Sequence, residues 1–499
     1  MDTLRRIQHR LLGRFPALRP GRFGWGAAQL SAASLASRAI GFVYSAAVMR
    51  LAGAEAIGLF RLVWPLYATA FTVATAGVPY AMAKLLAERA AQDEGDESPR
   101  RIAVQGLVLL ILNSLLMAAV MWWTSPWLVA RVGAEPRAAP IIRLLAPALP
   151  LACLAAGARA MFESTRRMAI PAASLLAEQV ALSIAAIGLV VYLSPRTADA
   201  AAVASALAGA SVLGEAVGLL ALALTVDRLW AEWGHRPASR ARLRHVPRPG
   251  AGWWPRSILE LALPVAAGRI LSSVGGSLST LLLPNRLQAA GFTASQAAAQ
   301  IGLLRGVAFP LVLMPNMLSL ALTTTLVPSI SGALARGDRA AARAYSDKAL
   351  ATTILFSLPA SAAFVSLPEL WTRVLYGEES AAPLLVICGL SAPFIYLGQT
   401  LVGVLRGLGR PQVPVQSHLV GLALETALIW VWVARAELAI QGAALAAAAG
   451  YAVAYLVNQL DALQHLGTTL RARDFTAPLA AAVAAGLAAR VAAAAAASL

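Results

Sequence analysis

The sequence predicts an all-α polytopic membrane protein with about thirteen transmembrane helices. Of its 499 residues, 59% are hydrophobic and only 13% are charged, which is about half the charged fraction of a typical soluble protein. Apolar runs of about 20 residues, enough to span a bilayer, recur along the whole chain. These observations exclude an ordinary soluble domain, and the positions of the runs predict the individual helices.

Basic residues in the loops between the apolar runs predict the orientation of the protein. The runs lie at 27–50, 59–87, 101–123, 138–163, 169–193, 200–226, 257–283, 298–327, 347–367, 381–405, 412–434, 438–461 and 474–496. Alternate loops are rich in Arg and Lys, as at Arg100-Arg101 and Arg166-Arg167. Because basic loops stay on the cytoplasmic side, we expect a multi-pass protein of the bacterial plasma membrane with a cytoplasmic N-terminus. The same rule explains the net charge of +17 without nucleic acid as a partner.

A connector rich in Arg, Pro and Trp follows the sixth apolar run and divides the chain. The predicted units are a basic cytoplasmic N-terminus at 1–26, a six-helix lobe at 27–227, a basic cytoplasmic linker at 228–256, a second six-helix lobe at 257–465 and an additional C-terminal helix at 466–499. We expect the protein to be a monomer.

The two predicted lobes repeat one another in sequence. IGLFRLVWPL at 57–66 matches IGLLRGVAFPL at 301–311, and Ser37-Arg38 matches Gly268-Arg269. The offset between matching residues stays between 231 and 249. A duplicated six-helix unit gives two parallel copies related by a pseudo-twofold axis along the membrane normal. This is a transporter-like design with its site between the halves.

Four arginines in or at the ends of the spanning helices form two pairs under this repeat: Arg38 with Arg269, and Arg61 with Arg305. Charged groups in a membrane are costly and mark functional sites by default. The planar guanidinium fork suits phosphate, so the four arginines predict an anion site for a diphosphate. Polar side chains at helical spacing form a predicted stripe with them: Ser34, Ser45, Ser272, Asn316, Ser319 and Thr323.

The sequence also allows structural explanations for these arginines. Arg61 and Arg305 could extend to the outer interface. Arg38 and Arg269 lie too deep for that, but each could form a structural ion pair. The candidate carboxylates are Glu178, Glu215, Glu260 and Glu425.

No enzyme motif occurs in the chain. HExxH, a Walker loop, GxSxG and paired cysteines are all absent from the sequence, so we expect no enzymatic activity, no cofactor and no metal site. No pattern identifies a coupling ion. Lys84 and Glu88 stand four residues apart at the end of the second run and are candidates for a gate or a surface pair.

Several blocks resemble one family of membrane proteins. The stretch ASRAIGFVYSAAVMRLAGAEAIGLFRLVWP, the block MFESTRRMAIPAASLLAEQ at 161–179 and LRGLGRPQVP at 405–414 are similar to the stage V sporulation protein B and polysaccharide biosynthesis protein family. This family belongs to the multidrug/oligosaccharidyl-lipid/polysaccharide exporter superfamily, which includes the MurJ-like lipid flippases.

The resemblance implies two six-helix lobes in a V shape with a central cationic cavity. It implies a flippase that moves a polyprenyl-diphosphate-linked cell-wall precursor or oligosaccharide, lipid II-like, from the inner to the outer leaflet by alternating access. Such a role belongs to peptidoglycan, polysaccharide or sporulation-related cell-wall synthesis. Two alternatives are a cation-coupled multidrug exporter of the same fold and a membrane scaffold without transport.

Overall fold

The computed structural model describes residues 22–91, 99–132, 135–197, 199–234, 256–468 and 472–497. Most of the predicted N-terminal segment and of the predicted linker lies outside these ranges. The α-helices of the described residues are α1 (Arg22–Thr75), α2 (Val78–Ala91), α3 (Pro99–Val132), α4 (Ala138–Leu145), α5 (Ala148–Ser164), α6 (Ala169–Leu193), α7 (Ala200–Gly234), α8 (Arg256–Ala289), α9 (Ala294–Gly302), α10 (Phe309–Leu313), α11 (Asn316–Ala335), α12 (Arg339–Ser366), α13 (Pro368–Trp371), α14 (Ala382–Gly407), α15 (Gln412–Trp432), α16 (Ala439–Leu466) and α17 (Ala472–Ala497).

Within the described residues, twelve helical stretches are long and apolar enough to cross a membrane, which confirms the predicted all-α membrane fold. The first stretch, Gln29–Arg89, contains two of the predicted spans. The two spans are separated inside α1 by one non-helical residue, Gly53, whose φ is 76° and ψ is 171°. A glycine adopts this backbone conformation without the steric cost that a Cβ atom would impose.

The boundaries of two further predicted spans differ from the structure. The predicted span 298–327 is divided into Ala294–Leu313 and Asn316–Ala335. Pro315 lies at this break and, having no N–H, cannot continue the helical hydrogen bonds. At the C-terminus, α17 is present as predicted, but its apolar part is the shorter stretch Phe475–Ala488.

Two glycines mark the closest approach between the first and second halves of the chain. An added Cβ on Gly58 of α1 would lie 1.7 Å from the carbonyl oxygen of Ala298 in α9. An added Cβ on Gly302 would lie 1.9 Å from the carbonyl oxygen of Ala54. The two helices therefore cross with their backbones in contact, and the contact is reciprocal, as the repeat in the sequence requires.

Polar contacts reinforce this crossing near Gly53, at the end of the molecule that we call the Gly53 end. The Ser295 hydroxyl donates to Glu55 Oε1 over 2.8 Å, and Arg137 Nη2 donates to the same oxygen over 2.6 Å. Arg137 also reaches Asp199. The backbone N–H of Ala201, together with Arg137, lowers the pKa of the Asp199 carboxyl. Both halves of the chain are thus joined through Glu55.

A second contact between the halves lies along α8. The Thr69 and Ser277 hydroxyls are 2.6 Å apart, and Ser277 donates to the carbonyl oxygen of Pro65 over 2.8 Å. An added Cβ on Gly77 would lie 2.6 Å from the carbonyl oxygen of Ala262. Helix α8 therefore packs closely on α1 and α2, and it does not line the cavity described next.

Candidate functional site

A cavity of about 580 Å³ is lined by residues from both halves of the chain. The first half contributes side chains of α1, α6 and α7, and the second half contributes side chains of α10, α11 and α14. This volume is within the range of about 300 to 1,000 Å³ that is usual for small-molecule sites. Its polar and charged lining residues include Arg38, Tyr44, Ser45, Arg61, Gln179, Ser211, Asn316 and Gln399.

The charge in this cavity is entirely positive. Among the described residues that line it, Arg38 and Arg61 are the only charged ones, and none is Asp, Glu, Lys or His. Arg61 is partly buried, and its Nη2 lies 3.5 Å from Ser45 Oγ. With low-dielectric walls around them, two guanidinium groups without a lining carboxylate produce a positive potential that attracts anions.

Helical periodicity brings the two arginines to the same cavity. Arg38, Gly41 and Ser45 recur at intervals of three and four residues, so they share one face of α1 before Gly53. Gly41 leaves space beside the Gln179 amide, since an added Cβ would lie 3.5 Å from it. The turn at Gly53 then reverses the chain, and Arg61 approaches the same space from the second part of α1.

The other two predicted arginines lie elsewhere. Arg305 is not among the lining residues and instead forms an ion pair with Glu425, with Nη2 3.6 Å from Oε1. Arg269 is exposed on α8 and does not line the cavity either. The structure thus brings Arg38 and Arg61 together, while their counterparts in the repeat occupy different surroundings.

The predicted polar stripe is also divided. Ser45 and Asn316 line the cavity. Ser319 and Thr323 are buried in α11, where the Thr323 hydroxyl donates to the carbonyl oxygen of Gln399 over 2.8 Å. The remaining members, Ser34 and Ser272, are half-buried outside the cavity lining.

The gate candidates Lys84 and Glu88 form an ion pair of 3.8 Å at the end of α2. Their side chains are 45% and 51% exposed, and exposed pairs of this kind contribute little to stability. Their part in gating stays a prediction.

Three of the four candidate carboxylates for structural ion pairs have partners other than Arg38 and Arg269. Glu178 pairs with Arg159 of α5, Glu425 pairs with Arg305, and Glu215 accepts a hydrogen bond of 3.5 Å from Tyr67. The role of Arg159 was not predicted from the sequence, although an ionisable residue within an apolar run of a membrane protein itself indicates a candidate functional residue. In the described part of the chain, no group of three His, Cys, Asp or Glu could hold a metal ion.

Comparison with known proteins gives relatives of the same fold. A polysaccharide biosynthesis protein family model matches residues 24–334, and a MatE family model matches residues 293–431. Stage V sporulation protein B of Bacillus subtilis (strain 168) is 26% identical over 91% of this chain and 86% of its own length. Lipid II flippase MurJ of the same organism is 21% identical over 86% of this chain and 80% of its own length.

Two solved structures share the fold of this chain. A lipid II flippase MurJ in an inward closed conformation superposes with a TM-score of 0.70 at 15% identity and covers 92% of this chain and 91% of its own. An inward-facing multidrug resistance MATE family transporter gives a TM-score of 0.64 at 17% identity, with coverage of 86% and 94%. The relatives and solved structures that are named by their activity are a flippase and a transporter, not enzymes. Because its family model matches more than half of the residues, this chain belongs to the polysaccharide biosynthesis protein family.

Proposed function

We propose that this protein is a flippase for a polyprenyl-diphosphate-linked sugar and moves its headgroup across the membrane by alternating access. The observation that carries this proposal is a cavity between the two halves whose only charged lining residues, among those described, are Arg38 and Arg61. The diphosphate binds the two guanidinium groups, and the polyprenyl chain stays in the lipid.

The chemistry of the cavity supports an amphiphilic anion as substrate. Guanidinium groups bind phosphate oxygens through charge-assisted hydrogen bonds. The amides of Gln179, Asn316 and Gln399 and the ring of Trp64 lie in the same cavity, and they offer donors, acceptors and an apolar face to a sugar. The relative named as lipid II flippase MurJ supports a substrate of this class.

The orientation in the membrane forms part of the proposal. Arg100 and Arg101 begin α3, and Arg166 and Arg167 follow α5, at the opposite end of the molecule from Gly53. The positive-inside rule places this end in the cytoplasm and the Gly53 end outside. The halves are joined at the Gly53 end, so the described conformation is one in which the outer side is closed.

The proposal predicts that cavity arginines are required for flipping. In proteoliposomes that contain an undecaprenyl-diphosphate-linked sugar, Arg38→Ala and Arg61→Ala should each lower the initial flipping rate by at least about tenfold, since a lost charged hydrogen bond costs about 1.5–3 kcal/mol. Arg435→Ala, which removes an exposed arginine outside the cavity lining, is the matched control and should flip at the wild-type rate. Flipping at the wild-type rate by both cavity variants would contradict the assignment.

A second candidate function is cation-coupled export of drugs. The match of the MatE model to residues 293–431 favours it, whereas a cavity without lining carboxylates does not suit a cationic drug. The test is drug efflux from cells that express the protein. Efflux that is lost on substitution of Arg38, and that polyprenyl-linked sugars do not inhibit, would favour this candidate over the flippase.

A further inference from the structure

The second copy of the repeat has one more residue than the first copy, beside Arg305. Four positions separate Arg61 from Pro65 in the first copy, whereas five separate Arg305 from Pro310 in the second. The extra residue falls where the helix between α9 and α10 widens into a π-helical segment, Leu303–Ala308. Single-residue insertions produce such π-bulges, which are frequent at functional sites.

Arg305 is held away from the cavity by an ion pair. Its Nη2 lies 3.6 Å from Glu425 Oε1, and the two side chains are 26% and 14% exposed. Its Cζ is 5.0 Å from the ring centre of Phe309. The Nε of Arg305 is buried and has no hydrogen-bond partner, so this guanidinium uses only part of its hydrogen-bonding capacity.

Glu425 is the fixed member of the pair. The neighbouring Thr426 hydroxyl lies 2.8 Å from the Ser279 hydroxyl of α8. On the other side, α15 and α16 touch through their backbones, and an added Cβ on Gly450 would lie 3.3 Å from the Glu425 Cβ. A long arginine side chain on a widened helix can change rotamer more readily than a carboxylate between three packed helices.

Arg305 is nevertheless close to the cavity. Pro310, five residues further along the same stretch of helix, lines the cavity together with Arg61, and the like charges of Arg305 and Arg61 repel each other. An anion placed beside Arg61 would therefore attract Arg305 as well. The ion pair with Glu425 and the anion in the cavity compete for one guanidinium.

We infer that Glu425 acts as a proton acceptor that controls whether Arg305 takes part in substrate binding. When a diphosphate enters the cavity, Arg305 leaves Glu425 and joins Arg61 on the diphosphate. An ionised carboxylate left unpaired among packed helices is costly, so Glu425 takes up one proton from hydronium in the solution, which becomes water. No other bond forms or breaks. The inference rests on the proposed function and adds proton coupling to it.

Few other titratable groups surround the pair. The described residues whose charges interact with it include Tyr451 on α16, Cys388 on α14 and the cavity residue Arg61. Isolated tyrosine and cysteine side chains are mostly uncharged at neutral pH. The test therefore covers about pH 5 to 8, where these side chains are mostly uncharged and a variant of Glu425 reports on the carboxyl of the pair.

Binding of undecaprenyl diphosphate N-acetylglucosamine to the full-length protein in nanodiscs tests the inference. The diphosphate of this probe is a diester and keeps its charge over that pH range. As pH falls, a larger fraction of Glu425 is protonated and Arg305 is freed. The wild-type affinity should therefore rise as pH falls, by up to about tenfold per pH unit, the limit for one linked proton.

Variants at the pair separate the possible outcomes. Glu425→Gln, a neutral mimic of the protonated acid, should bind the probe at every pH as tightly as the wild type does at low pH. Glu437→Gln, on an exposed carboxylate, should retain the wild-type pH dependence. Arg305→Gln in the Glu425→Gln background should lose the gain in affinity. That loss would exclude a merely structural pair.

Two results would overturn the inference in different ways. If the wild type binds the probe and Arg38→Ala abolishes binding, but Glu425→Gln keeps the wild-type pH dependence, the role of Glu425 is wrong and the proposed function stands. If the wild type does not bind the probe at any pH, the proposed function itself fails, and this inference fails with it.

Discussion

Arg159 connects three helices of the first half through one polar cluster. It pairs with Glu178 of α6 and donates to the Ser174 hydroxyl over 3.2 Å. Ser174 in turn donates to the carbonyl oxygen of Gly218 in α7 over 2.9 Å. Gly218 provides the necessary space, since an added Cβ would lie 2.9 Å from Glu178 Oε2. The ion pair therefore fixes the packing of α5, α6 and α7.

Replacing Arg159 by Met should destabilise the protein strongly. The substitution keeps much of the side-chain volume but leaves the Glu178 carboxylate without its cation. Breaking a fully buried pair in this way costs about 3–5 kcal/mol, which is an upper limit for this partly buried pair. The melting temperature in detergent should fall, and the double variant Arg159→Met/Glu178→Gln should regain a large part of the loss. A single variant as stable as the wild type would show that the pair has no structural role.

The sequence could identify charged residues in the membrane but not their partners. Arg38 and Arg61 were predictable because helical spacing and the repeat both point to them. The pairing of Glu178 with Arg159 was not, because the depth of a residue along a helix does not show which neighbouring helix it faces. For the same reason, the different surroundings of Arg269 and Arg38 were not predictable. The two residues match in the repeat, but α8 packs on α1 and α2, and Arg269 stays outside the cavity lining.

The crossing of α1 and α9 depends on the absence of a side chain at two positions. Gly58 and Gly302 each bring a backbone carbonyl of the other helix within a distance that no Cβ could occupy. Small residues at such crossings allow close helix packing in membranes. This contact closes the Gly53 end.

Gly58→Ala should therefore push α1 and α9 apart and open the Gly53 end. Spin labels at positions 196 and 435, one on each half, should report a longer distance in this variant than in the wild type. Gly188→Ala is the matched control, because a Cβ there meets no atom within 4 Å. An unchanged label distance in Gly58→Ala would show that the crossing is not what keeps this end closed.

At this scale, the sequence predicted the number of helices better than their continuity. The break near Pro315 has a visible cause in the proline. The π-helical segment near Arg305 also has a trace in the sequence, one additional residue relative to the first copy. Its consequence for the direction of Arg305 was not predictable, because an extra residue can be accommodated by a bulge, a kink or a longer turn.

Alternating access requires the whole molecule to change the contacts between its halves. In the described conformation, Glu55 of the first half accepts a hydrogen bond from Ser295 of the second half. The two lobes were predictable from the repeat. The closed end was not, since a duplicated sequence specifies two similar halves without specifying their relative tilt.

Holding the Gly53 end closed should stop transport. In a variant without the two buried native cysteines, Cys153 and Cys388, a short cleavable thiol cross-linker between Glu55→Cys and Ser295→Cys should abolish flipping in proteoliposomes. Cleavage of the linker should restore it. Each single cysteine variant treated in the same way should keep its rate, and flipping at full rate by the cross-linked protein would contradict alternating access at this end.

Arg50 gives this closure an all-or-none character. Its guanidinium, on the first half, donates to the carbonyl oxygens of Leu375 over 3.1 Å and Arg373 over 3.4 Å and also to that of Val374. These carbonyls belong to one turn of the second half, so they lose their donor simultaneously and must be hydrated together when the lobes separate. Single-molecule recordings of the Gly53 end should accordingly show discrete dwell times rather than a continuous drift, and Arg50 should lengthen the dwell time in the closed state.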